Sequence, residues 1–271
     1  MKTRVISAAV ALALVVVLLI FYSTVAFPIA VALIGMIAVF EVFNATKSQT
    51  NVPFFVVSEI YAAVAPFAAR KIIPVDMGLV VLMYFLVAAA CMMIGFEHFR
   101  ARKLFVALVS TTYVIFGLSS VVTIIDMKYG MMYFLFAAFC ALMNDTGAYF
   151  VGSLIGKHNM SPTISPNKTV EGAIGGVVVS LVSNVILAYV YASYFTNGMT
   201  VKLLPLVICG VIGALVGIVG DLFASAVKRM YNVKDYGNIM PGHGGVMDRI
   251  DSIVFTMPFV MAFVQNFALL A

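Results

Sequence analysis

The chain has 271 residues, 63% of them hydrophobic and 10% charged, with a mean hydropathy of +1.12 and a formal net charge of +5. A soluble domain is nearer half apolar and about a quarter charged, so this composition describes an integral membrane protein with no stretch left for a separate soluble domain. The basic residues are spread over short loops without a Lys/Arg run or nucleic-acid motif, which excludes DNA and RNA as partners.

Lys2 and Arg4 precede an apolar run from Val5 to Tyr22. The run is longer than a signal-peptide core and another span follows at once, so it reads as a retained first helix over 4–22. Apolar periodicity then predicts helices over 24–44, 52–68, 76–97, 103–124, 129–155, 170–195, 203–229 and 250–270. Most approach the roughly 20 residues that a span requires. The third is short and carries Glu59, so eight spans with an interfacial or re-entrant third helix is the alternative. The expected fold is all-α: a polytopic integral membrane protein of about nine transmembrane helices in one membrane domain over 1–271. Residues 1–125 supply the N-terminal helices and 126–271 the catalytic half, whose site lies at the cytoplasmic helix ends. Cys91, Cys140 and Cys209 stand alone in apolar runs and read as small buried hydrophobes.

With the N-terminus in the cytoplasm, twelve Lys/Arg fall inside, among them Lys47, Arg100, Arg102 and Lys103, and four fall outside (Arg70, Lys71, Lys128 and Lys202). This positive-inside bias puts the 156–169 and 230–249 loops on one cytoplasmic face. Glu41 and Glu59 can be satisfied by neighbouring helices. Asp145, Glu171 and Asp221 lie near cytoplasmic ends of three helices and Asp248 begins a fourth, so the four ends can converge on one polar cavity.

Three segments carry the chemistry. Asn144-Asp145-Thr146-Gly147 follows a long apolar run. An ionised carboxylate there costs about 3 kcal/mol on insertion scales, so it pairs, binds a cation or lines water; the alternative is helix packing through Asn144 and Thr146. Ser165 to Gly172, SPNKTVEG, is a loop entering a helix, with Ser165 or Thr169 as cap and Glu171 in the first turn. Lys168 adds charge to a helix start that can bind phosphate, against simple capping as the bland reading. Gly210, Gly213, Gly217 and Gly220 precede Asp221 and suit close helix packing better than a phosphate cradle.

The third segment, Ser225 to Asp251, concentrates charge between two apolar runs. Lys228, Arg229, Lys234 and Arg249 can hold phosphates, and Asp221 with Asp248 can hold a hard cation. His243 can donate to a phosphate or act in acid–base steps, and Gly244 and Gly245 permit close backbone approach. Gly152 to His158, GSLIGKH, fails as a P-loop because three residues separate its glycines and His replaces Ser/Thr.

The pattern Ser225-x-x-Lys228-Arg229, Lys234-Asp235-x-Gly237, Pro241-Gly242-His243-Gly244-Gly245 and Asp248-Arg249-x-Asp251 resembles the C-terminal signature of phosphatidate cytidylyltransferases. Asn144 to Tyr149 and SPNKTVEG resemble further segments of that family, in the same order. Asn167 stands where the family commonly has a second lysine. The resemblance implies an enzyme joining CTP and phosphatidic acid, with release of pyrophosphate, to give CDP-diacylglycerol. It also implies Mg²⁺, with a second ion open, and catalytic roles for Asp221, Asp248, Lys168, Arg249 and His243. Lys228, Arg229, Lys234, Asn144, Ser225, Gly244 and Gly245 would bind substrate, and Asp221, Asp248, Asp145 and Glu171 the metal. Its setting would be the plasma (inner) membrane bilayer with the site loops cytoplasmic, and a homodimer is compatible with such an enzyme. Rival readings are a secondary transporter, which lacks an inverted repeat here, and a CTP-dependent lipid kinase.

Overall fold

The computed structural model describes residues 2–94, 101–196 and 199–270. In chain order the elements are α1 (Lys2–Ile20), α2 (Ala26–Thr46), α3 (Val52–Ala69), α4 (Met77–Met93), α5 (Ala101–Ile125) and α6 (Gly130–Ile155). They continue as β1 (Asn159–Ser161), β2 (Ser165–Thr169), α7 (Val170–Phe195), α8 (Leu203–Met230), α9 (Met247–Ile250) and α10 (Ile253–Asn266). The protein is an all-α polytopic membrane protein: among the described residues α2, α3, α5, α6, α7 and α8 are long and apolar enough to cross a membrane. The short third helix belongs to this set. Ala9–Ile20 and α4 are apolar but shorter.

The expected helix over 250–270 differs in form. It is the four-residue α9 followed by the 14-residue α10, which carries Pro258 inside it. At 1.5 Å per residue, 14 residues reach about 21 Å, short of the roughly 30 Å hydrocarbon layer. The expected end of the fourth helix at 95–97 and the loop residue Arg100 lie outside the described residues.

Two compact units divide the chain: Met1–Asp126 with Val227–Ile250, and Met127–Ala226 with Asp251–Ala271. In the first, α2 packs on α3 and α5, and α3 on α4. Asn51 starts α3 by accepting a hydrogen bond from the Phe54 N–H at 3.1 Å, with Pro53 in the first turn. Asp76 starts α4 likewise, accepting from the Gly78 N–H at 2.8 Å. Phe43 and Phe54, both fully buried, meet with ring centroids 4.8 Å apart, and Tyr61 stacks on Tyr84 at 4.2 Å.

In the second unit α6 and α7 lie close because glycines line the seam. A Cβ on Gly147 would stand 2.7 Å from that of Val179, and one on Gly176 would stand 2.5 Å from the Asn144 carbonyl oxygen. The buried face of α7 repeats every fourth residue as Gly172, Gly176, Ser180, Asn184, Ala188 and Ala192. The α8 glycines serve packing, as expected: Gly213 faces Cys140 of α6, and Gly217 and Gly220 face Thr256 and Phe255 of α10. Cys140 and Cys209 are buried free thiols. The 156–169 segment, expected as a loop, contains the antiparallel pair β1–β2, which delivers the chain into α7.

Candidate functional site

Two polar clusters collect the residues singled out by sequence, one within each unit. In the second unit Asn144 and Asp145 of α6, Asn167, Lys168 and Thr169 of β2, Gly172 of α7 and Asp221 of α8 line a cavity of about 310 Å³. Thr169 caps α7 as expected, its hydroxyl accepting from the Gly172 N–H at 3.1 Å. That cap fixes the end of β2 and so the neighbouring Lys168, whose ammonium forms a direct ion pair with Asp221. Ser225, one turn further along α8, donates to the other Asp221 oxygen at 3.3 Å. Asp145 accepts from the Ser252 hydroxyl at 3.4 Å.

Asn144 is 1% exposed, and neither its amide nitrogen nor its oxygen has a hydrogen-bond partner among the described residues. An unsatisfied buried amide costs about 1–3 kcal/mol, and here it borders a cavity. Glu171, by contrast, holds the hairpin. Its carboxylate accepts from the backbone N–H groups of Lys157 and His158 at 3.1 and 3.2 Å and meets the His158 ring.

In the first unit Asp248 is 8% exposed and fully engaged. One oxygen pairs with Lys228 at 2.7 Å, and the other accepts from the N–H groups of Tyr236 at 2.8 Å and Gly245 at 3.0 Å. Lys228 also lies 5.5 Å from the Tyr236 ring centre, a cation–π contact that further fixes the ammonium. Lys234, Asp235, His243, Gly244 and Arg249 line a polar cavity of about 470 Å³. His243 Nδ1 lies 2.8 Å from the Ser7 hydroxyl, which itself donates to the Pro241 carbonyl at 3.1 Å. Arg229 is exposed in the last turn of α8.

Glu41 is the residue whose part in this region sequence reasoning missed. It is 2% exposed, and its two oxygens accept from the N–H groups of Val246 and Met247 at 3.0 and 2.8 Å. A Cβ on Gly237 would stand 2.2 Å from Glu41 Oε1, and one on Gly245 would stand 2.5 Å from Oε2. The close approach that Gly245 permits is therefore to an internal carboxylate. Gly244 has φ +85°, a left-handed turn conformation that glycine adopts without strain. The only sequence signal for Glu41 is a lone carboxylate inside the apolar run of α2.

Asp221 and Asp248 thus belong to different units, each paired with a lysine of its own unit. Among the described residues no three His, Cys, Asp or Glu side chains gather into a ready metal nest. Asn144, Asp145 and Asp221 nevertheless line one cavity, and their side chains carry oxygen donors of the hard type that Mg²⁺ takes.

The Cytidylyltransferase family matches residues 2–267. A stretch of 133 residues, 49% of this chain, is 44% identical to a protein of Bacillus subtilis (strain 168) named phosphatidate cytidylyltransferase, covering 47% of that relative. Proteins of the same name from Staphylococcus haemolyticus (strain JCSC1435) and Staphylococcus aureus (strain COL) are 43% and 44% identical over 131 residues, 48% of each chain. The chain spans about half the length of the curated relatives it matches.

Proposed function

The chain belongs to the Cytidylyltransferase family, and from that premise we propose that it transfers CMP from CTP to phosphatidic acid, giving CDP-diacylglycerol and pyrophosphate. An oxygen of the lipid phosphate attacks the α-phosphorus of CTP, and the bond from that phosphorus to the pyrophosphate oxygen breaks. The nucleophile is already an anion, so no general base is needed. The work lies in bringing together two strongly charged phosphates and neutralising the departing one.

The pairing of lysines with two of the carboxylates singled out by sequence, Lys168 with Asp221 and Lys228 with Asp248, carries this reading. A carboxylate held by a lysine is neutralised at low dielectric before any substrate arrives. When phosphates enter, each ammonium has a more highly charged partner, and the carboxylate oxygens it leaves become available. Asp145, Asp221 and Asn144 would hold Mg²⁺ in the second unit, and Asp248 would serve in the first. The ion would supply charge neutralisation on the phosphates. Lys234, His243 and Arg249 share one cavity and would bind phosphate oxygens there. Glu171 is spent on the hairpin, so its metal role is the weakest of those expected. The loops carrying these residues would face the cytoplasm, the source of CTP, across a bacterial plasma membrane.

The test is incubation of the purified protein with phosphatidic acid and CTP labelled at its α-phosphorus, with and without Mg²⁺. Label entering a lipid-soluble product only with Mg²⁺ is the expected result. No lipid label from folded protein overturns cytidylyl transfer, and lipid label from γ-labelled CTP in a parallel reaction then makes the protein a lipid kinase.

A further inference from the structure

Away from these clusters, three basic side chains that the reaction does not use share a cavity. Lys47 after α2, Arg102 and Lys103 in the first turn of α5, and Met230, Tyr231 and Asn232 at the end of α8 enclose about 270 Å³. All belong to the first unit. No carboxylate lines the cavity among the described residues, and none of the three cations has an ion-pair partner among them. Like charges gathered in one hollow repel unless an anion sits between them.

Two further observations point to a ligand. The Tyr231 hydroxyl oxygen is buried and has no hydrogen-bond partner among the described residues. Burial raises its pKa, against the opposing charge of Arg102. The second observation concerns backbone. Lys47 and Asn232 adopt left-handed conformations, φ +54° and +55°, where α2 and α8 end. Glycine is the usual residue at such a helix stop, and asparagine tolerates it. A lysine there carries a backbone cost that glycine avoids, and it brings a cation to the cavity.

We propose that this cavity binds the oxyanion of a phosphate ester, with the headgroup of an anionic bilayer lipid as its source. Three cations and a neutral donor match phosphate oxygens. The ends of α2, α5 and α8, three helices long and apolar enough to cross the membrane, carry the cavity, and helix ends lie at the depth of the lipid phosphates. This inference is independent of the proposed reaction and is tested by binding alone.

The full chain, purified in detergent, is titrated with phosphatidylglycerol or phosphatidylcholine of equal chain length, and bound lipid is counted by native mass spectrometry. The expected result is preferential retention of phosphatidylglycerol, weakened on the order of ten- to a hundredfold in K47A/R102A/K103A. Tyr231→Phe should weaken it by a few fold. Lys47→Gly suits the left-handed turn while deleting one charge, so it should bind less lipid yet fold at least as well as the parent. Displacement of phosphatidylglycerol by inorganic phosphate would support the anion site and make a soluble phosphate its source. Equal retention of both lipids, or an undiminished preference in the folded triple variant, overturns the proposal.

Discussion

Replacing Glu41 by glutamine tests whether a carboxylate in the second helix holds the signature loop. The wild-type oxygens accept from the Val246 and Met247 N–H groups at 3.0 and 2.8 Å, in a site only 2% exposed. An amide can accept one of these bonds through its oxygen but turns an N–H donor toward the other. The loss comprises the charge assistance of one bond and one unsatisfied backbone donor, together about 2–3 kcal/mol. If the loop opens locally, that corresponds to roughly a 30- to 150-fold faster exchange of those two amides. Hydrogen–deuterium exchange of the purified variant, read on peptides covering 240–250, measures it directly. Peptides from the second unit should keep wild-type protection. Wild-type exchange at Val246 and Met247 would refute the argument, and exchange accelerated everywhere would mean that Glu41 supports the whole unit.

Asp248→Asn should cut cytidylyl transfer by a hundred- to a thousandfold or so, since one ion pair and one acceptor are lost from the proposed site; turnover of protein with an unchanged gel-filtration profile measures it, and near-wild-type turnover removes Asp248 from the chemistry. Gly176→Ala should lower the thermal unfolding midpoint, because its methyl would meet the Asn144 carbonyl at 2.5 Å and overpacking costs about 1–3 kcal/mol. An unshifted midpoint would show that the α6–α7 seam can relax. Burial raises the pKa of Asp126, with Arg70, 3.5 Å away, opposing. Folded Asp126 therefore holds its proton to higher pH than the unfolded chain does, and its contribution to stability declines as pH rises from the unfolded value through the folded one. Asp126→Asn should remove that acid-range decline in pH-dependent melting, and an identical profile would show that the shift has no bearing on stability.

Much of this architecture was legible because it follows from local rules. The α7 cap at Thr169 and the packing role of the α8 glycines are decided within a few residues of sequence. The lysine partners of Asp221 and Asp248 were not legible as pairs, because charge type says that a partner is needed without saying which one. Glu41 was harder still: its donors lie 205 and 206 residues away, and they are backbone amides, which every residue except proline possesses. The last helix was overestimated because residues 250–270 are apolar almost throughout, while Asp251 and Ser252 separate α9 from α10 and α10 ends at Asn266.

The two faces of α7 obey opposite laws of substitution. Toward α6 it shows Gly172, Gly176, Ser180, Asn184, Ala188 and Ala192. Ile174, Val178, Val182 and Ile186 are 52–62% exposed on the face suited to lipid. The helix is thus inverted relative to one in water, with its bulk outside and its small and polar groups within. Leucine, the residue that would best fill a soluble core, is the one the inner face cannot admit. The outer face can exchange isoleucine, valine and leucine almost freely while refusing the lysines and glutamates that a water-facing surface would welcome. Sequence drift in α7 should therefore run fast in identity and slow in character on one side, and hardly at all on the other.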